Sequence, residues 1–520
     1  MKKEIIAHPF LFATNPVLAL FATNASMLSI DQIVIPIVTI LISVTFLYSL
    51  LNFILKDKHK AGIILSLFTF LFFSYGHFCK LLIKFELVIK GFTVDAFVIV
   101  FILSGFVFVL GTYLFLKTQK NLRSFTKFLN ALAISFVLMS LIQITVFKYN
   151  TLDNSSKMKE FESTTVDFSK ISYTPNIYYI ILDGYARSDV LKELFDFDNK
   201  TFLDYLTNKG FYIANKSVAN YCQTILSLPS SMNSTYLNKH VLKIDRKNKD
   251  LRWLRKLLNY NHTFKFLKQY NYKTISFDTS GWHLVKLDNS DTFYCLPGLS
   301  LFKNKLLNST PLLIITSIFY SLEKHLYDIH RHKIEFALNK IEDLSKDKGP
   351  YFVYAHLLIP HQPFIFGKNG EAITPKGKGF SVWCWDTEFR NTYKKNYLNQ
   401  LKYTNKRVRK LVDVILANSD KPPIIILQSD HGSALKLDPY NIYKTNLIER
   451  MGILNAYYLP KGGKKKLYSS ITPVNTFRVI FNHYFNGNYQ LLKDRSYFSN
   501  WEDKLKFIDV SDKVLNNKSI

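Results

Sequence analysis

Pro423–Gly432 reads PIIILQSDHG, and Asn176–Gly184 reads NIYYIILDG. Both are short, continuous apolar runs, followed directly or after Gln428-Ser429 by an aspartate with glycine within two residues of it. A run of this length, rich in β-branched and aromatic residues, is the pattern of a strand buried on both faces of a parallel sheet. Working outward, further strand patterns lie at Phe211–Ala214, Lys273–Phe277, Tyr351–Leu358 and Leu454–Leu459. Helical patterns fall between them at Thr201–Lys209, Lys394–Ala417 and Val474–Tyr484. The last is opened by Thr472-Pro473 as N-cap and first helical residue. Strands alternating with helices predict an α/β domain, a mostly parallel sheet with helices on both faces. Pro311–Tyr320 is apolar but too short to cross a bilayer, and reads as a core helix.

The N-terminal third has a different character. Ile33–Leu55, Gly62–Leu82, Thr93–Leu116 and Phe128–Phe147 each approach the ~20 apolar residues that a helix needs to span hydrocarbon. Pro9–Ala22 is shorter, contains Asn15 and Pro16, and reads as a short or broken first span; no A-x-A cleavage site follows it. This predicts a transmembrane helical bundle of about five spans over 1–149, a polar linker over 150–175, and the α/β domain over 176–520. Lys56, Lys58 and Lys60, and then Lys117, Lys120, Arg123 and Lys127, mark two loops as cytoplasmic, although Lys80, Lys84 and Lys90 lie between them. On that count the chain after Phe147 lies outside the cytoplasm. The span interiors are nearly without charge, which favours an anchor over a transporter.

The chain has 520 residues, and Lys+Arg 67 against Asp+Glu 39 gives a net charge of +28. Such a balance attracts polyanions. Zinc-finger spacing, RNP-like motifs and dense basic helices are all missing, so nucleic acid is not favoured. Anionic headgroups beside a tethered chain are the simpler partner; plain compositional bias toward lysine is the other reading. Of the four cysteines, Cys79 sits in a span, and Cys222, Cys295 and Cys384 follow. Without CxxC or a Cys/His cluster there is no basis for a structural zinc site. Outside the cytoplasm a disulfide such as Cys295–Cys384 is available.

Open α/β sheets bind ligands beyond the carboxyl ends of their strands. Asp183 and Asp430-His431 stand at two such ends, and carboxylate with imidazole suits zinc, manganese or magnesium. The plainer alternative is that both aspartates cap helices. Tyr221–Ser231, YCQTILSLPSS, places a hydroxyl where a helix should start. Helix N-termini attract phosphate, and a cation beside the hydroxyl would make it a nucleophile at neutral pH. Alone, the segment is no different from an ordinary Ser/Thr-rich N-cap region.

Taken in order, ILDGYARSDV, NYCQTILSLPSSMN, AHLLIPHQPF and ILQSDHG resemble the blocks of the alkaline phosphatase/sulfatase superfamily. Within it they are most similar to the membrane-anchored branch of lipoteichoic acid synthases and phosphoethanolamine transferases. ILNAYYLP and ITPVNTFRVIFN are similar to sulfatase-like membrane proteins. The resemblance implies an alkaline-phosphatase-like domain in which Asp183, Thr224, Asp430 and His431 hold a divalent metal ion. Thr224 would be the nucleophile, although the synthases carry Glu near the position of Asp183. His361 would hold the substrate phosphate or protonate a leaving group, with His356 the weaker candidate. Cys222 is not followed by the Pro and Arg of C/S-x-P-x-R, so formylglycine chemistry is disfavoured. The implied reaction moves a phospholipid headgroup, of phosphoglycerol or phosphoethanolamine type, to a cell-envelope glycan through a phospho-threonine. The implied location is a bacterial-type cytoplasmic membrane with the catalytic domain extracytoplasmic. A membrane-anchored hydrolase and a non-catalytic binding protein are the alternatives.

Overall fold

The structure is a computed structural model that describes residues 4–25, 28, 30–82, 87–89, 92–94, 96–156, 173–241, 251–279, 285–296, 301–312, 322–374 and 387–515. The chain forms two compact units. One joins Met1–Asp153 with Leu299–His325; the other joins Asn154–Gly298 with Leu326–Ile520.

In the first unit the apolar segments form α1 (His8–Thr23), α2 (Asp31–Leu55), α3 (Lys58–Leu82), α4 (Ala96–Lys117) and α5 (Arg123–Ser156). Four of these, α2 to α5, are long and apolar enough to cross a membrane. At 16 residues with Pro16 inside, α1 is shorter; its Asn15 is met by the Ser140 hydroxyl of α5 at 2.9 Å. Phe46, Phe53, Val109 and Met139 are among many large apolar side chains left exposed on α2, α4 and α5. Water would not tolerate such a surface, whereas hydrocarbon does, because helices satisfy their own backbone polar groups.

Leu299–His325 returns to this unit from far along the chain. Its helix Leu301–Leu307 buries Phe302 among Val17, Phe21, Ala25, Leu28 and Ile33. The Gly76 N–H donates to the Ser309 carbonyl at 3.0 Å. A Cβ on Gly76 would lie 2.2 Å from the Asn308 carbonyl oxygen, so only glycine allows the approach. Most of the core helix expected over Pro311–Tyr320 falls outside the described residues.

The second unit is built on a seven-stranded sheet: β1 (Ile177–Leu182), β2 (Tyr212–Ile213), β3 (Lys273–Phe277), β4 (Thr292–Tyr294), β5 (Tyr351–Leu357), β6 (Ile424–Gln428) and β7 (Asn455–Tyr458). The spatial order is β2-β7-β6-β1-β5-β3-β4. Neighbours from β6 through β1, β5 and β3 to β4 are parallel, while β7 runs antiparallel to both β6 and β2. Every residue of β1 and β6 is buried, which is why both read as unbroken apolar runs rather than alternating ones. Helices Thr387–Asn418, Leu322–Leu344 and Pro473–Tyr484 contribute to the packing around the sheet, with Tyr397, Leu338 and Phe477 fully buried. The edge strand β4 and the 23-residue helix Leu322–Leu344 were not singled out in the sequence reading. Lys and His punctuate both helix faces there, and they blur its apolar stripe.

Candidate metal centre and active site

Topology assembles the site. Strands β5, β1 and β6 lie side by side and parallel, so their carboxyl ends open on one edge. The β1 end delivers Asp183, and the β6 end delivers Asp430 and His431. From β5 come His356, in register with Ile181, and His361 just beyond. The Asp183 N–H donates to the Leu357 carbonyl, and the His361 N–H to the Asp183 carbonyl, both at 3.0 Å. Gly184 turns the chain at φ +70°, a left-handed conformation that favours glycine. Gly432 is more constrained, since a Cβ would stand 1.9 Å from the Glu449 carbonyl oxygen. That close approach is the reason glycine must end the Asp-His-Gly triplet.

Thr224 is the first residue of the helix Thr224–Met232, after Gln223 in extended conformation. Its Oγ1 lies 3.1 Å from His431 Nε2. His431 Nδ1 sits 2.9 Å from the Gly432 carbonyl. A carbonyl only accepts, so Nδ1 carries the proton of the neutral ring and Nε2 presents a lone pair. Burial, then the neighbouring Arg450 charge, hold the His431 pKa well below its ordinary value, which keeps the ring neutral. His431 Nε2 is also 3.5 Å from Asp183 Oδ1 and 3.4 Å from Asp430 Oδ2. Those two carboxylate oxygens are buried and find no hydrogen-bond donor among the described residues.

Four electron-pair donors therefore converge, from Asp183, Thr224, Asp430 and His431. Buried unpaired carboxylates are costly, and a cation between them removes the cost. Donors on a tetrahedral ion at about 2.0–2.1 Å stand roughly 3.3–3.4 Å from one another, close to the spacings found here. The residues present fit a divalent metal ion. Asp183, His361 and His431 also form one possible ligand group, and Asp183, His356 and Asp430 a second.

Electrostatics separates the two aspartates. Burial raises the Asp183 pKa, but His361, His356 and His431 outweigh it and hold the carboxyl below its usual range. Burial, with Asp183 beside it, pushes Asp430 up to about 7. His356 Nε2 lies 3.0 Å from Asp183 Oδ2. Burial lowers the His356 pKa, yet the bond and charge of Asp183 raise it overall.

The structure thus brings Asp183, Thr224, Asp430 and His431 into contact, with His361 beside them: its ring centroid is 5.8 Å from that of His431. His356, ranked below His361 from sequence, touches Asp183 directly. Its position on a strand gave no hint, because the side it faces is set by register with β1. Arg450 was not foreseen. Buried in the helix Leu447–Met451, it donates to the Cys222 carbonyl at 2.8 Å and the Gly432 carbonyl at 3.2 Å, tying the Thr224 segment to the Asp-His-Gly turn. The Cys222 side chain is buried, and burial pushes its thiol pKa up, opposite to what a nucleophile needs. Cys384, and with it the disulfide considered for Cys295, lies outside the described residues.

Comparisons with known proteins come from several directions. No curated protein matches the chain. Among solved structures, the C-terminal periplasmic domain of EcEptC from Escherichia coli, in complex with Zn, is 14% identical. That match covers 68% of this chain and 98% of that one at a TM-score of 0.44. Integral membrane lipooligosaccharide phosphoethanolamine transferase A (EptA) from Neisseria meningitidis is 13% identical, covering 94% of this chain and 96% of that one at a TM-score of 0.38. The lipoteichoic acid synthase LtaP from Listeria monocytogenes is 14% identical, covering 68% and 83% at a TM-score of 0.38. The family model for sulfatase matches residues 175–482, more than half of the chain and all of the convergent side chains described above. The chain belongs to the sulfatase family.

Proposed function

We propose that this enzyme of the sulfatase superfamily is a metal-dependent phosphoryl-headgroup transferase. In this reading it moves a phospholipid headgroup, of phosphoglycerol or phosphoethanolamine type, to a cell-envelope glycan. The observation that carries the reading is the Thr224 hydroxyl, at a helix N-terminus and 3.1 Å from the lone pair of His431. Asp183, Thr224, Asp430 and His431 would hold the metal ion; zinc, manganese and magnesium all suit the donor set. When bound, it supplies Lewis-acid charge that favours the alkoxide and neutralises phosphoryl oxygens.

Thr224 loses its proton to solvent and its oxygen forms a bond to phosphorus. The bond from phosphorus to the diacylglycerol oxygen breaks, and that oxygen takes a proton from His361. In the second half-reaction the acceptor hydroxyl returns a proton to His361 as its oxygen displaces Thr224 from phosphorus. Thr224 regains a proton from solvent, which closes the cycle. The positive end of the helix that starts at Thr224 stabilises the phosphoryl charge at both stages. Four apolar helices suit a donor that is itself a membrane lipid. The lysine-rich loops place the catalytic unit outside the cytoplasm in this reading.

Thr224→Ala should lower headgroup transfer by about 10³-fold or more, while at saturating metal the other three ligands still retain the ion, measured by mass spectrometry. Wild-type enzyme incubated with native lipid should carry the headgroup on Thr224. Activity retained in Thr224→Ala would remove the residue from this role. Steady release of free headgroup without an acceptor would make the enzyme a hydrolase instead.

A further inference from the structure

Away from the metal centre, a cavity of about 650 Å³ opens between the helices Lys200–Asn208 and Thr387–Asn418. Lys402, Lys406, Arg409 and Lys410 line it. They stand at i, i+4, i+7 and i+8, and so share one helix face. Like charges at this spacing repel weakly, and an anion held between them relieves that repulsion. Lys410 is paired with Glu342 at 2.7 Å, and Arg409 donates to the Thr201 carbonyl at 2.6 Å. Lys402 and Lys406 are exposed and pair with no carboxylate among the described residues.

The acidic groups of the lining are already engaged. Asp198 accepts the Lys200 N–H at 2.8 Å, and Asp413 pairs with Lys209 at 2.6 Å. Arg409 Nε is buried and has no hydrogen-bond partner among the described residues. The floor is a closed ring of three hydrogen bonds. Tyr185 Oη donates to Asn405 Oδ1 at 2.6 Å, Asn405 Nδ2 to Asn199 Oδ1 at 2.9 Å, and Asn199 Nδ2 to Tyr185 Oη at 2.9 Å. This ring uses one N–H and one acceptor position of each amide. The lining thus carries four cationic side chains against two carboxylates, Asp198 and Asp413, an excess of positive charge. Half-buried Phe197, with the Lys402 ammonium 5.5 Å from its ring centroid, adds an apolar surface. A volume of this size suits a small organic molecule rather than a bare ion.

We propose that this cavity binds a small phosphate-bearing organic molecule, at a site separate from the metal centre. Phosphate is accepted by Lys402, Lys406 and Arg409, and its organic part rests against Phe197. The ring below gives the site a reach: Tyr185 follows Asp183-Gly184, and its N–H is held by Ser429 at 2.9 Å, next to Asp430.

The test uses the full-length, metal-loaded chain in phosphatidylcholine nanodiscs, titrated calorimetrically with glycerol 1-phosphate. Lys402→Ala/Lys406→Ala should weaken one binding event by about tenfold or more. Lys402→Arg/Lys406→Arg should keep it, and Asp430→Asn should leave that same event in place. Both lysines are exposed, so an unchanged circular dichroism spectrum is expected in these variants. Equal affinity and stoichiometry in wild type and the double alanine variant would overturn the proposal. Repeating the titration in phosphatidylglycerol nanodiscs identifies the source: competition marks a lipid headgroup, and unchanged affinity marks a soluble phosphate.

Discussion

Each donor in the centre depends on a neighbour that fixes its state. His356 holds Asp183 by a 3.0 Å contact and can act as a positioning residue for that carboxylate. Losing such a support typically weakens metal binding by about 10–100-fold. His356→Asn is therefore expected to raise the dissociation constant for zinc by that range, measured by chelator competition, with turnover recovered at saturating metal. Asp430 supplies a second prediction. Its carboxyl is pushed up to about 7 by burial and by Asp183, so below that pH a proton occupies the position a cation would take. Metal affinity should then fall as pH drops, by about tenfold per unit for one displaced proton. Binding near pH 6 should release about one more proton from this group than binding near pH 8, a difference visible by calorimetry in two buffers. The aspartates and His431 were legible in the sequence because they follow their strands at once, or after the single residue Ser429. Thr224 was legible because a helix begins there. Arg450 was not, since nothing local tells that a cation in a short helix will reach two carbonyls far away in sequence.

At the scale of elements, the helix Thr387–Asn418 ties the loops of the site together. Tyr397 Oη donates to the Gly184 carbonyl at 2.9 Å and accepts the Ala186 N–H at 3.0 Å. Tyr393 Oη accepts the Ala434 N–H at 3.0 Å. Gln400 Nε2 donates to the His361 carbonyl at 2.7 Å, and its Oε1 accepts the Ile365 N–H at 2.8 Å. Three successive turns of one helix therefore touch the segments that carry Asp183, Asp430 and His361. Tyr397→Phe keeps the ring and its packing but leaves a buried N–H unpaired. It should destabilise the catalytic unit by about 1–3 kcal/mol in chemical denaturation. The sequence reading found this helix from Lys394 onward, and the structure starts it at Thr387. It found β1, β3, β5 and β6 closely, because buried strands between turn formers stand out. Their spatial order was beyond it, because order is settled by which faces pack together over long separations. The weak edge strand β4 escaped for a related reason: three half-buried residues have too little apolar pattern to register.

Across the whole molecule, the proposed orientation can be checked with the thiols. Cys79 and Cys222 are buried, while Cys295 is exposed. In a Cys384→Ser background, a membrane-impermeant maleimide added to intact spheroplasts should label Cys295. Labelling only after lysis would put the catalytic unit on the cytoplasmic side. The excursion of Leu299–His325 has a practical consequence. The polypeptide leaves the catalytic unit at Gly298 and re-enters it at Leu326, so no single cut in the linker separates anchor from enzyme. A secreted fragment beginning near residue 175 would carry Phe302 stripped of Val17, Phe21 and Ile33, and that newly wetted patch would drive aggregation. A stable truncation will need this loop excised and its ends rejoined, as well as the first helices removed.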